Sequence, residues 1–209
     1  MLKRTPLVQS DTREFGQMQL DETRARNAVN WWNYSQEFAA KDDEYGTFFA
    51  AWIALVILAR DYEATYCSGL PPGRGDDQPL QCCFDHAADI VRAAIHRPAL
   101  SGQRERLAQR HRGEILRNDR RKHHDKLALI ALSSIWRGEA ASDAGELQGL
   151  RTLFLLVRNG LFHGSKMYND STTNRESDDR QLLADLNPIL LAIVDALLDQ
   201  PGPHRRLMA

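Results

Sequence analysis

Arg158, Asn159 and His163 are the residues of this chain whose types and spacing best fit a chemical task. Imidazole, with an unperturbed pKa of about 6.5, takes and returns protons at neutral pH, as transesterification of RNA by its own 2′-hydroxyl requires. A guanidinium can hold the charge that builds on phosphorus. Asn159 and His163 are four apart and so share one face of a helix, where the amide can bond the ring and fix its orientation.

Spacing alone decides nothing. Arg106 and His111 repeat the five-residue step, and Arg104 with His111, or Arg117 with His123 or His124, come close to it. Placement says more. Arg158 lies four residues after Phe154 and eight after Leu150, so it continues an apolar stripe. A cation stripped of water there must meet an acid, a dimer partner or a phosphate. The competing reading is a plain helix end, with Arg158 on an acid and His163 capping carbonyls beside Gly164.

The elements that would position these groups are all helical. Helices are expected over 21–41 and over 43–66, the second apolar on most sides (Phe48, Trp52, Leu55, Ile57, Leu58, Tyr62) and suited to the centre of a bundle. Asp43 and Glu44 suit its positive end. The Gly- and Pro-dense run from Ser68 to Asp77 reads as a loop. Helices over 79–97 and 101–118 are separated at Pro98, the second peripheral, with Leu107, Ile115 and Leu116 as its burying residues. A helix over 121–137 stops at Gly138, and Ser142-Asp143 offers a new N-cap. The motif helix starts near Asp143 and runs through Leu147, Leu150, Phe154, Val157 and Leu161; 165–179 reads as a loop. A closing helix carries Leu182, Leu186, Ile189, Ile193 and Leu197, with Pro188 kinking it or starting its second half.

The 209 residues carry 43% hydrophobic and 26% charged side chains, an ordinary globular balance, and a net charge of −1. No broad field draws nucleic acid, so such a partner needs a local basic patch. Basic residues are 22 Arg against 5 Lys, a bias toward the bidentate phosphate binder that base composition also explains. Cys67, Cys82 and Cys83 form an odd set with an adjacent pair, unlike the spaced framework of a secreted scaffold, which points to a reducing, cytoplasmic setting. The N-terminus lacks an apolar signal core, and the uncharged run from Phe48 to Ala59 is too short to cross a bilayer, so no membrane is expected.

The segment Leu155-Leu-Val-Arg-Asn-Gly-Leu-Phe-His-Gly-Ser-Lys resembles the signature of HEPN proteins, in which Arg, a polar residue and His precede a final helix; Phe48-Phe-Ala-Ala-Trp-Ile-Ala-Leu is similar to an aromatic-rich earlier helix of many members. The resemblance covers those helices and the closing one and leaves 68–140 aside. It implies an all-α, HEPN-like helical bundle with an additional helical insertion: an arm over 1–20, one domain over 21–200 with 68–140 as divergent insertion, and a frayed tail over 201–209. It further implies a metal-independent endoribonuclease of toxin or antiviral type, working as a homodimer on RNA, with an antitoxin or defence partner. Carried over, His163 is general base or acid, Arg158 binds the scissile phosphate, Asn159 orients either, and Lys166 and Tyr168 touch RNA. Relatives silenced by nucleotide transfer have a Tyr two residues after the His; here Ser165 stands there. The alternative is a non-catalytic dimeric helical module that binds RNA or protein.

Other features fall to blander readings. Cys82 and His86, four apart with Cys83 beside them, make half a zinc site, but no second cluster is evident, so buried thiols and no metal or cofactor are expected. His123-His124 suits a solvated helix start or a seat for RNA. Trp31-Trp32 should send one ring to the core and one to a partner surface. No Gly-rich phosphate loop, Gly-x-Ser-x-Gly elbow or His-Glu-x-x-His pattern supports nucleotide hydrolysis, acyl transfer or zinc proteolysis.

Overall fold

A computed structural model describes residues 17–67, 75–110, 123–141, 144–162 and 173–199. Among them every regular element is a helix: α1 (Gln17–Ala39), α2 (Glu44–Tyr66), α3 (Asp77–His86), α4 (Ala88–Ile95), a 3-10 turn (Pro98–Leu100), α5 (Ser101–Arg110), α6 (His123–Trp136), α7 (Ala144–Phe162) and α8 (Thr173–Asp199). The all-α expectation therefore holds. The chain forms two compact units, one from residues up to Ala94 together with those from Leu190 onward, the other from Ile95 to Ile189.

In the first unit α2 is the central element. Phe48, Ala51, Trp52, Ala54 and Leu55 are buried, as its all-round apolar composition demands, and the rings of Phe48 and Trp52 stack at 6.2 Å. Asp43 caps it, accepting from the Gly46 amide at 2.9 Å. The turn from α1 is tight: Asp42 takes φ 53°, and a Cβ on Gly46 would come within 2.7 Å of the Phe38 ring. Only glycine lets that ring close over the start of α2. Arg24 on α1 and Asp61 on α2 pair at 3.3 Å. Trp32 enters the core while Trp31 joins the exposed Tyr34 and Phe49 in an edge-on cluster, the division expected of the tandem pair.

Instead of one helix over 79–97 the chain makes two, α3 and α4, which meet at Ala87; its φ of −109° and ψ of 23° leave the helical region. Arg97, extended ahead of Pro98, ends the run where expected.

In the second unit α6 and α7 form a hairpin around Leu129, Leu132, Leu150, Leu153 and Phe154, all buried. Gly138 closes α6 at φ 72°, the left-handed terminator its position suggested. A Cβ on Gly149 would lie 2.6 Å from both the Ala128 carbonyl and the Leu132 side chain, so α7 seats its backbone directly on α6. α5 is less peripheral than its charge suggests. Leu107 and Ala108 are buried, Ser133 of α6 donates to the Ala108 carbonyl at 2.8 Å, and Arg106 Nε meets the buried Asp185 carboxylate at 2.7 Å. The second half of the expected 101–118 helix, residues 1–16 of the expected 1–20 arm, the Ser142-Asp143 cap and the tail lie outside the described residues, while residues 17–20 of that arm belong to α1.

α8 begins at Thr173, earlier than expected, and runs unbroken through Pro188. Its span Asp179–Asp199 is long and apolar enough to cross a membrane by composition, yet more than half of that apolar stretch is buried within the protein, and the polar Asp185 and Asn187 are buried on it. That is the pattern of a core helix.

Gly149→Val should destabilise the protein by about 1–3 kcal/mol, the usual cost of forcing atoms into a packed contact. Urea denaturation would detect it as a lower midpoint with an unchanged slope.

Candidate functional site

α7 carries the motif toward its C-terminal end. Leu150 and Phe154 are fully buried, Val157 nearly so, and Arg158 one turn beyond Phe154 is half-buried; Asn159 and Gly160 are exposed. The stripe thus reaches the surface at Arg158. Its Nε is shielded from water, while Nη1 donates to Asn159 Oδ1 at 2.9 Å. The amide expected to orient His163 or a phosphate therefore also orients Arg158. With its oxygen engaged there, the Asn159 amide still offers N–H donors to an anion. His163, Lys166, Tyr168 and Ser165 lie outside the described residues.

The competing Arg106 differs in its partner. Asp185, almost wholly buried, accepts from Arg106 and lies 3.6 Å from Arg110 Nε, so two guanidinium groups are committed to a structural carboxylate. His111 is outside the described residues.

A second constellation in the same unit escaped the sequence reading. Glu146, in the first turn of α7 and fully buried, accepts from Trp136 Nε1 at 2.9 Å, and both of its oxygens meet His96 Nε2, at 2.9 and 3.1 Å. Arg104 donates to the carbonyls of Ile95 and, at 3.5 Å, Arg97. Burial lowers the Arg104 pKa and the negative charge of Glu146 works against that fall. His96 is about two-fifths exposed, so the ring sits at the rim of the cluster rather than inside it. Mechanically the cluster pins the chain after α4 to the start of α7. Nothing local signals it, because His96 and Glu146 are 50 residues apart.

The cysteines require a correction. Cys82 is buried as expected, but as a disulfide with Cys67 rather than as a thiol. Cys67 caps the end of α2 and Cys82 sits in the second half of α3, and the packing of these two helices brings their sulfurs together. Neighbours on a helix point about 100° apart. Cys83 accordingly faces elsewhere, remains the one free cysteine, and burial pushes its thiol up to about 12.

Two outcomes follow. Without reductant the native protein should show no fast-reacting thiol, and one should appear on unfolding. The unfolded Cys83 releases its proton near its ordinary value of 9.0, the native one near 12, so stability should decline as pH rises across that window. Glu146→Ala, which strips Trp136 Nε1 and His96 of a buried acceptor, should cost about 1–3 kcal/mol by urea denaturation; an unshifted midpoint would reduce the cluster to surface decoration.

Compared with known proteins, the chain matches no family model, no curated protein and no solved structure.

Proposed function

We propose that this chain is a HEPN-like, metal-independent endoribonuclease of toxin or antiviral type, acting in the cytoplasm as a homodimer on RNA. The observation that carries the reading is the emergence of Arg158 at the exposed end of a buried stripe, its guanidinium held by the Asn159 amide one turn before His163. The Asn159 amide restrains the guanidinium and adds N–H donors beside it, a pairing that suits phosphate oxygens. His163 takes the proton from the 2′-hydroxyl or returns one to the leaving 5′-oxygen. Arg158 and Asn159 hold the scissile phosphate, and Lys166 and Tyr168 touch neighbouring nucleotides. The products are a 2′,3′-cyclic phosphate and a 5′-hydroxyl. The dimer sets two such motifs face to face, and an antitoxin or defence partner restrains them.

The second reading is a non-catalytic dimeric module for RNA or protein. The cluster of half-buried Trp31 with the exposed Tyr34 and Phe49 favours it, since aromatic groups of this kind concentrate at contact surfaces.

Purified protein should cut RNA in EDTA. His163→Ala should fold and dimerise yet lose at least about a hundredfold in rate, the scale of a proton-transfer group. Arg158→Lys should also lose activity, because a point charge does not replace a two-pronged donor. Equal cutting by wild type and both variants would exclude the site, and dimers that never cut would leave the second reading.

A further inference from the structure

We propose that Cys67, Cys82 and His86 form a zinc site in the reduced protein, and that closing the Cys67–Cys82 disulfide abolishes it. The donor atoms of the three residues lie within 4.8 Å of one another. Tetrahedral zinc, with bonds of about 2.3 Å to sulfur and about 2.0 Å to nitrogen, sets neighbouring donors roughly 3–4 Å apart, a spacing the two sulfurs can take once the bond that joins them in this structure is opened. Two thiolates and an imidazole are also the donor chemistry that selects zinc over calcium or magnesium.

The surroundings serve both states. Cys82 and His86 are one turn apart on α3, so both project toward the end of α2, where Cys67 stands. The His86 ring stacks on Tyr66, with centroids 4.4 Å apart and planes 13° from parallel. Tyr66 is the neighbour of Cys67, so the stack holds the imidazole beside the sulfurs although His86 is exposed. Cys82 Sγ lies 3.4 Å from the Tyr62 carbonyl, which is an acceptor ready for the S–H of the reduced form. The linking sequence Ser68-Gly-Leu-Pro-Pro-Gly-Arg74 contains no further thiol, imidazole or carboxylate. Among the described residues no fourth donor joins the three, Asp76 and Asp77 included, so the remaining position falls to water.

The two states exchange by ordinary thiol chemistry. A dithiol reductant supplies two electrons and two protons: the Cys67–Cys82 bond breaks, each sulfur gains a hydrogen, and the dithiol becomes a disulfide. Zinc then displaces both protons and binds the two thiolates and the neutral imidazole. In the reverse direction the two thiolates give two electrons to an incoming disulfide, which takes up two protons from water and leaves as two thiols, while the Cys67–Cys82 bond reforms and the zinc ion is released. A disulfide in a reducing compartment is commonly transient and redox-sensing, which is the role this exchange gives it. The inference is independent of the ribonuclease reading, whose residues lie on α7 and beyond.

The test uses the full, tag-free chain, reduced with a phosphine that is then removed without air, and titrated with cobalt(II) as a coloured zinc substitute. One equivalent should produce a sulfur-to-cobalt charge-transfer band and tetrahedral visible bands, both erased by zinc. The oxidised protein should give neither. Cys67→Ser and His86→Ala should each weaken binding at least about tenfold, as loss of a ligand does, while Cys83→Ala leaves it unchanged. His86 is exposed, so its variant decides the matter even where the cysteine variant unfolds. A reduced protein without the charge-transfer band, binding that ignores redox state, or unchanged affinity in His86→Ala would each overturn the proposal.

Discussion

A carboxylate with no surface in water has to be satisfied where it stands, and the second unit is arranged around that requirement at Glu146. The indole N–H of Trp136 closes the end of α6 onto it, and His96 brings in the chain that follows α4. Its position in the first turn of α7 adds the favourable field of a helix N-terminus. The start of α7 is thereby fixed in all directions. Gly149, one residue short of Leu150, then removes the side chain that would hold α7 away from α6. With start and register both set, the buried run Leu150, Leu153, Phe154 follows, and the position where the stripe meets water is determined: it is Arg158.

The first unit solves a different problem. α2 is apolar on nearly every side and cannot be left with an open face, so α1 must fold back tightly and α3 must return to it. Gly46 and the left-handed Asp42 make the first return possible. The second return carries Cys82 to the end of α2, where Cys67 waits, and Tyr62 and Tyr66 border the same place. A chemical cluster thus arises at a point fixed by hydrophobic closure.

Much of this was legible from local pattern. Apolar spacing located α2, α7 and the buried face of α8, and Gly138 and Asp43 marked ends because turn and cap chemistry is local. The all-α class followed. The early start of α8 was hidden because Thr173 to Asp179 is polar and reads as loop by composition. Pairings across the fold were hidden for a stronger reason: periodicity says which face a residue occupies and nothing of what stands opposite. Glu146 drew no reading from the sequence, Arg106 read as a solvated cation, and Cys82 as a buried thiol. Of the candidate site, Arg158 and Asn159 were found with their placement but without their mutual bond.

That bond bears on how two identical spacings come to mean different things. Arg106 and Arg158 each precede a histidine by five residues, and both leave a helix that also buries apolar side chains. Arg106 donates to a carboxylate that is itself buried, so charge meets charge and the pair fastens α5 to the middle of α8. Asp185 is the buried member, so removing Arg106 would leave its carboxylate to Arg110 alone at 3.6 Å. Arg158 donates to a neutral amide on its own helix, a contact that restrains the guanidinium and fastens no second element. Under the ribonuclease proposal, a guanidinium and an amide set side by side at the rim of the core offer the paired N–H donors that match the oxygens of a phosphate.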